Sequence, residues 1–227
     1  IHPIHTSKSY HDADELGPSF AKASAGKGDK GFTSRGEEFN FEYYKKLALD
    51  EKVMAIGETG LDYYRMSSDK AQISKQKEVF ERHIELAHEV KKPLMIHCRS
   101  AYGDLIDILN SLSSILNSPS GIVHFFSGTK EDAKKLLEMG FYFTFGGVIT
   151  FSRDYEEIVR YIPTNRLLSE TDAPYVTPVP YRGKRNEPVY VIEVVKKLAE
   201  LKGVSLEMMR DQIWENARGV FGIKLSI

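Results

Sequence analysis

Cysteine is almost absent from the sequence: Cys98 is the single cysteine among 227 residues. No disulfide can therefore form within the chain, which is typical of proteins from reducing compartments, and we expect a cytoplasmic location. No apolar run approaches the ~18 residues that a membrane span needs, and no signal peptide is visible, so we expect no membrane association. The formal net charge of −1 gives no bulk signature of nucleic-acid binding, so such a site must be basic locally.

Glycine-rich phosphate-binding motifs are also absent. No G-x-G-x-x-G or G-K-[ST] sequence follows a predicted strand, which argues against a dinucleotide-binding domain. Residues 17–38, GPSFAKASAGKGDKGFTSRGEE, have no helix or strand period and are predicted to form a solvated, mobile insertion. Apart from this insertion, we expect one domain over residues 1–227.

The remainder of the chain alternates between predicted strands and predicted helices. The five predicted strands are VMAIGE, KPLMIHC, GIVHFFS, FYFTFGGV and RLLSET. A helical pattern precedes the first strand, helices separate the strands, and two more helices end the chain. This alternation predicts parallel βα units, either in an open doubly wound sheet or in part of a (β/α)₈ barrel.

Potential metal ligands follow four of the predicted strands. Glu58, His97, His124 and Asp172 each lie at the carboxyl end of a strand or just beyond it. Taken alone, such a histidine or carboxylate is commonly structural or caps a turn. In a parallel barrel, however, the strand ends meet at one mouth. Two imidazoles and two carboxylates there favour a divalent metal cluster of Zn²⁺, Mn²⁺ or Mg²⁺, in which a carboxylate such as Glu58 can bridge two ions.

Two further carboxylates have a predicted supporting role. Glu170 has the same strand parity as Asp172, so we expect it to orient a ligand or to pair with a cation. Asp62 is predicted either to orient a ligand in the same way or to stabilise a turn. Cys98 is expected to be a small buried residue, because adjacent strand residues such as His97 and Cys98 point to opposite faces.

The other histidines are weaker candidates. His83 and His88 are five residues apart on a predicted helix, whereas neighbours on one face are three or four apart, so we expect structural or surface roles. His2 and His5 are close enough in sequence to suggest a pair of metal ligands, but on an extended segment residues i and i+3 point to opposite faces. We therefore expect both in a loop, with His2 close enough to the site to contact substrate.

The loop after the last predicted strand, APYVTPVPYRGKRNEP, is rich in proline and carries Arg182, Lys184 and Arg185 beside two tyrosines. A run of charges usually forms a solvated surface. Beside divalent metal ligands, a basic and aromatic loop instead suits a substrate that bears phosphate, with Arg182 and Arg185 as binding residues. Arg99, close behind His97, is a further candidate for this role.

The motifs AIGETGLDYY, MIHCRSA, VHFFSG and SETDAPYVTPVPYRGKRNEP resemble those of the TatD-type metal-dependent deoxyribonucleases. The resemblance covers the chain outside the insertion, with several motifs in the same order and spacing. It implies a (β/α)₈ TIM barrel of the amidohydrolase-like, metal-dependent hydrolase type, with two metal ions. By this resemblance Glu58 is a ligand that bridges the ions, His97 and His124 bind one ion, and Asp172 orients and deprotonates the attacking water.

One family feature is missing from the sequence. Members of the family begin with a strand that ends in a His-x-His pair, whereas IHPIHTS resembles the segment that follows their third strand. We therefore expect the first two to three strands to be absent and the sequence to be an N-terminally incomplete fragment. The missing segment would hold roughly sixty residues, since two and a half βα units account for that length.

Three functions are compatible with these features. The first is a monomeric hydrolase that uses two divalent ions, Mg²⁺, Mn²⁺ or Zn²⁺, to cleave phosphodiester bonds of DNA with a metal-activated water. The second is a hydrolase that acts on a small ester or amide with the same metals. The third is a non-catalytic remnant that binds nucleic acid or a partner, since the His-x-His ligands are missing. The basic loop favours the first hypothesis.

Overall fold

A sheet of five strands is the main element of the fold. The computed structural model describes residues 1–7, 10–11, 32–33, 36–64, 69–116 and 120–223. A short antiparallel pair comes first in the chain, β1 (Tyr10–His11) with β2 (Phe32–Thr33). The five-stranded sheet contains β3 (Ile56–Asp62), β4 (Leu94–Arg99), β5 (Gly121–His124), β6 (Phe141–Phe145) and β7 (Leu167–Ser169). Each strand neighbours the next one in sequence, and β3 to β6 pair in parallel, which confirms the predicted strands.

In the ranges that the structure describes, seven α-helices lie between and after the strands. They are α1 (Phe41–Ala48), α2 (Lys70–Val90), α3 (Tyr102–Ser111), α4 (Lys130–Glu138), α5 (Glu156–Tyr161), α6 (Val191–Lys202) and α7 (Leu206–Phe221). Side-chain caps define several helix starts: Asp69 accepts a hydrogen bond from the Gln72 backbone N–H, and Thr129 forms a capping box with Asp132. None of the helices in the described ranges is long and apolar enough to cross a membrane.

Two predicted boundaries were wrong. The predicted strand FYFTFGGV ends at Phe145, since Gly147–Thr150 forms a 3-10 helix. Within the predicted insertion, Phe32–Thr33 pairs as a strand although no strand was expected there. Residues 17–31 and 34–35 of that insertion lie outside the described residues.

The chain groups into two compact units. The first contains Ile1–Ser9, Ser34–Phe143 and Ala217–Ile227, and the second contains Tyr10–Thr33 and Thr144–Asn216. The expectation of one domain over residues 1–227 stays a prediction.

The core of the first unit lies between the strands and helix α2, which packs against β3. Leu61 and Ile96, on adjacent strands, are fully buried, as is Phe80 on α2. Cys98 is buried as predicted, and burial raises the pKa of its thiol far above the usual range. A buried thiol of this kind is a packing residue rather than a nucleophile.

The core of the second unit is formed by apolar residues of β7, α5 and α6. Val159, Leu167 and Leu198 are fully buried, and α6 packs against α5 and β7. The buried Asn216 fixes the entry to β7, because its side-chain NH₂ donates to the carbonyl oxygens of Thr164 at 2.8 Å and Leu167 at 2.7 Å. Two backbone acceptors at a buried strand end are thereby satisfied.

His83 is a buried structural residue, as the helix spacing predicted. Its Nδ1–H donates to the Val79 carbonyl at 2.7 Å, and its Nε2 lies 2.8 Å from the backbone nitrogen of Ile1. The ring of Phe39 packs 4.4 Å from that of His83. Burial lowers the pKa of His83 from 6.5 to about 3. The ring is therefore neutral in the folded protein.

We expect His83 to make the protein less stable in acid. Below about pH 6.5 the unfolded chain protonates this histidine, whereas the folded chain does so only near pH 3. The free energy of unfolding is therefore highest above this window and falls as the pH drops through it. The loss is at most about 1.4 kcal/mol per pH unit. His83→Gln, which cannot titrate, should flatten the free energy of unfolding between these pH values, measured by urea denaturation. The matched control is His88→Gln, at an exposed position of the same helix, and an equally steep curve for His83→Gln would contradict the assignment.

Candidate metal centre

Three adjacent strands present residues of the candidate site in one register. Gly60 of β3 pairs with His97 of β4, and His97 pairs with His124 of β5. Since side chains in register point to the same face of a parallel sheet, the two imidazoles lie side by side. Gly60 allows this close approach: its φ is +138°, and a Cβ there would lie 2.0 Å from the His97 carbonyl oxygen.

The carboxylate of Glu58 lies close to all three imidazoles of this site. Its Oε1 lies 3.0 Å from Nδ1 of His97, 3.3 Å from Nε2 of His2 and 3.8 Å from Nε2 of His124. The expectation that Glu58 ends its strand was wrong, because β3 continues to Asp62. The pairing of β3 with β4 is irregular between Ile56 and Thr59, around Glu58 itself.

His2 enters the site as the residue that caps a 3-10 helix, Pro3–His5, whereas His2 and His5 were both expected in a loop. The fixed φ of Pro3 favours this turn. The Nδ1 of His2 accepts a hydrogen bond from the Ile4 backbone N–H at 3.3 Å, so the neutral ring carries its proton on Nε2, which faces Glu58. The ring of His5 lies 6.1 Å from that of His2, and His5 does not belong to the group of potential metal ligands around Glu58.

Among the described residues, His2, Glu58 and His97 form a group whose potential ligand atoms lie within 4.8 Å of one another. Two imidazoles and a carboxylate suit Zn²⁺ or Mn²⁺. The hydrogen bond at Nδ1 favours His2 as an N–H donor through Nε2. The residues present therefore fit a divalent ion, and the ligand roles predicted for Glu58, His97 and His124 stay predictions.

The electrostatics of the site keep the carboxylate ionised. Burial opposes ionisation of Glu58, but hydrogen bonds from His2 and His97 outweigh it and hold the pKa of Glu58 well below its usual range. Burial lowers the pKa of His2, with Glu58 partly offsetting it. A charged carboxylate beside a neutral imidazole is the state in which such residues act as ligands or donors.

Asp62 is in contact with His97, which is one of the two roles predicted for it. Its Oδ2 lies 2.9 Å from Nε2 of His97, and its Oδ1 accepts from the Tyr64 backbone N–H at 2.9 Å. Asp62 therefore both orients a ring and stabilises the turn after β3. Burial opposes ionisation of Asp62, but the hydrogen bond from His97 outweighs it and lowers the pKa of the Asp62 carboxyl.

Arg99 lies in the same unit, with its guanidinium carbon 3.5 Å from the centre of the Tyr64 ring. The position is that of a cation–π contact. Its predicted role in binding substrate stays a prediction.

Asp172 and Glu170 lie in the second unit, after β7. Asp172 is exposed and has a φ of +55°, so it sits on a turn three residues beyond the strand rather than in a buried strand. Glu170 accepts a hydrogen bond from the Thr144 hydroxyl. Their predicted metal-binding and orienting roles stay predictions.

The basic loop of the second unit is held in shape by its own hydrogen bonds. The buried Asn186, which no sequence pattern singled out, donates from its NH₂ to the carbonyls of Thr171 and Tyr175 at 2.7 and 2.6 Å. Arg182 stacks on Phe151, with its guanidinium carbon 3.9 Å from the ring centre, and donates to the Thr177 carbonyl at 3.0 Å. Arg185 is exposed.

Comparison with known proteins shows the family of this chain. A family model described as "TatD related DNase" matches residues 1–222. The chain belongs to the TatD family. It is 44% identical over 188 residues to an uncharacterized metal-dependent hydrolase of Bacillus subtilis, YabD, covering 82% of this chain and 72% of that protein. It is 34% identical to a protein of Pantoea ananatis named 3'-5' ssDNA/RNA exonuclease TatD, covering 79% of this chain and 70% of that one.

Solved structures of the TatD family show the same fold. A TatD homologue of Escherichia coli K12 matches with a TM-score of 0.71 and 26% identity, covering 81% of this chain and 70% of that chain. A TatD family hydrolase of Entamoeba histolytica matches with a TM-score of 0.69 at 23% identity, covering 97% and 72%. The expected fold class, the α/β barrel of the metal-dependent hydrolases, is confirmed, as is the broad class of a TatD-type metal-dependent hydrolase.

We expect Gly60→Ala to disrupt the site, because the added Cβ would clash with the His97 carbonyl and because few side chains adopt this φ. The free energy of unfolding should fall by about 2 kcal/mol or more. Gly103→Ala is the matched control: no atom lies within 4 Å of its Cβ position, and on helix α3 it should raise stability by at most about 1 kcal/mol. Urea denaturation of both variants checks this, and equal stabilities would contradict the close approach of β3 and β4.

Proposed function

We propose that this TatD family member is a metal-dependent nuclease that cleaves phosphodiester bonds of DNA with two divalent ions, Mg²⁺, Mn²⁺ or Zn²⁺. The observation that carries the proposal is the contact of Glu58 Oε1 with Nδ1 of His97 at 3.0 Å. A carboxylate and an imidazole lone pair that face each other repel, and a proton or a metal ion between them removes this repulsion.

The proposed ligands are Glu58, His97, His124 and Asp172. The first three carry their donor atoms close together in the first unit, and Asp172 is carried over from the resemblance of its motif. Divalent ions bound by these groups would lower the pKa of a bound water and offset negative charge on the phosphate.

Side chains of this protein would bind the phosphate of the substrate and accept a proton from the attacking water. The Nε2–H of His2 is a donor suited to a phosphate oxygen, because its Nδ1 already accepts from Ile4. Asp172 is exposed to solvent, where it can accept a proton from the attacking water. Arg99, Arg182 and Arg185 are the proposed phosphate contacts.

The relative from Pantoea ananatis supports a nucleic-acid substrate, because its name describes an exonuclease of single-stranded DNA and RNA. The stacked Arg182 and Phe151 add a cationic and aromatic surface, a combination that suits single-stranded nucleic acid.

The first test is hydrolysis of an end-labelled single-stranded oligonucleotide with added divalent ions. Glu58→Gln and Asp172→Asn should each lower turnover by about a hundredfold or more, since the amide keeps the shape but loses the charge that holds metal and favours hydroxide. Glu81→Gln and Asp107→Asn make the same changes at exposed positions and serve as matched controls.

Three outcomes separate the hypotheses. Cleavage that requires metal, Glu58 and Asp172 supports the nuclease. Metal-dependent turnover of small esters or amides without oligonucleotide cleavage would replace it with a small-substrate hydrolase. Metal binding without turnover of either substrate would leave a binding protein.

The second prediction concerns the basic loop. Replacing Arg182 and Arg185 together by Gln should weaken oligonucleotide binding and flatten its salt dependence, because each lost phosphate contact lowers the slope by about 0.7 for a single strand. Fluorescence anisotropy over a range of salt concentrations measures this slope. Lys134 and Lys135, exposed on helix α4, provide a double Gln control with the same charge change. An unchanged slope for the arginine variant would show that the loop is only a solvated surface.

A further inference from the structure

We propose that Asp62 is a positioning residue, held by Gln76, that fixes the tautomer and orientation of His97 so that Nδ1 of the ring faces Glu58. The inference rests on the proposed metal site and adds to it the residues that prepare one of its ligands.

Both nitrogens of His97 have defined neighbours. Nε2 lies 2.9 Å from Oδ2 of Asp62, and Nδ1 lies 3.0 Å from Glu58 Oε1. Nδ1 also lies 3.3 Å from Nε2 of His2. The ring is therefore placed between Asp62 on one side and Glu58 with His2 on the other.

The contact with Asp62 determines that one nitrogen of the His97 ring keeps its proton. A carboxylate only accepts, so the contact with Asp62 requires the proton on Nε2 of His97. On the other side, the Ile4 N–H occupies Nδ1 of His2, which leaves Nε2–H of His2 to donate towards His97 and Glu58. Glu58 is a carboxylate as well, so a proton on Nδ1 of His97 also has an acceptor. Nδ1 is therefore the nitrogen at which a metal ion can replace a proton, while Asp62 keeps the proton on Nε2.

Asp62 can perform this task because it is itself fixed. It is 6% exposed, and its Oδ1 accepts from the Tyr64 N–H. Gln76 of helix α2, 1% exposed, bonds to both backbone groups of Asp62: its Oε1 accepts from the Asp62 N–H at 2.8 Å and its NH₂ donates to the Asp62 carbonyl at 3.1 Å. The amide of Gln76 therefore takes the place of a neighbouring strand at the end of β3.

The consequence is a chain of contacts from a buried helix to the ligand group. Gln76 fixes the backbone of Asp62, the carboxylate of Asp62 fixes the ring of His97, and the ring presents its Nδ1 to Glu58. Partners of this kind determine ligand orientation and basicity, and their loss typically costs about 10–100-fold in metal affinity. Asp62→Asn would be informative because an amide NH₂ can donate to Nε2 and so favour the wrong tautomer.

The experiment uses ¹⁵N-labelled wild-type protein, in metal-free form in alkaline buffer and with Zn²⁺ added. We expect NMR to show a proton on Nε2 of His97 in both forms. A His97 Nε2 without a proton in the wild type would overturn the inference, and this measurement needs no variant to fold and no ion to bind.

The second measurement is Zn²⁺ affinity by calorimetric titration. Asp62→Asn should bind Zn²⁺ about 10–100-fold more weakly, and Gln76→Glu, which keeps the acceptor but loses the donor, should fall between it and the wild type. Asp107→Asn makes the same change on an exposed helix position and should match the wild type. Wild-type affinity and the wild-type tautomer in folded Asp62→Asn would overturn the inference and leave Asp62 a merely structural residue.

The two proposals fail separately. Protein that binds Zn²⁺ and shows the expected tautomer but cleaves no oligonucleotide contradicts the nuclease and supports the positioning role. Protein that cleaves oligonucleotides, with Asp62→Asn equal to the wild type in affinity and tautomer, contradicts the positioning role alone.

Discussion

The site of the first unit depends on the register of three parallel strands. Because Gly60, His97 and His124 are aligned across β3, β4 and β5, two imidazoles are held side by side by backbone hydrogen bonds rather than by side-chain packing. A shift of one residue in β4 or β5 would turn a histidine to the other face. The buried residues that fix the strands, such as Leu61 and Ile96, therefore also fix the positions of these imidazoles.

Sequence patterns were sufficient for the strands of the main sheet and for the proximity of Glu58, His97 and His124. Alternation of strands and helices predicted the parallel sheet, and histidines near strand ends predicted the neighbourhood of His97 and His124. These predictions succeed because a parallel sheet brings the carboxyl ends of its strands to one edge, whatever the details of packing. The carboxylate of Glu58 reached the same group, although its strand runs four residues further than expected.

The contacts that the sequence did not predict depend on geometry that no sequence period encodes. The sequence placed His2 near the site, but it did not predict the 3-10 turn that begins at Pro3 beside it, nor the contact of its ring with Glu58. Gln76 is one polar residue on an amphipathic helix, and only the structure shows that its amide pairs with the backbone of Asp62. Asn186 likewise organises its loop through carbonyls ten and more residues away in sequence. Contacts of this kind follow from the folded chain and leave no repeating signal.

The stacking of Arg182 has a consequence for the entropy of recognition. A free arginine side chain gives up as much as about 2 kcal/mol of rotamer freedom when it becomes ordered. Here the Phe151 ring and the Thr177 carbonyl already restrict the guanidinium. Most of this rotamer entropy is therefore lost when the protein folds and not when an anion binds. An anion that approaches the remaining N–H groups would encounter a rigid donor, and its association would be governed by desolvation more than by the ordering of the side chain.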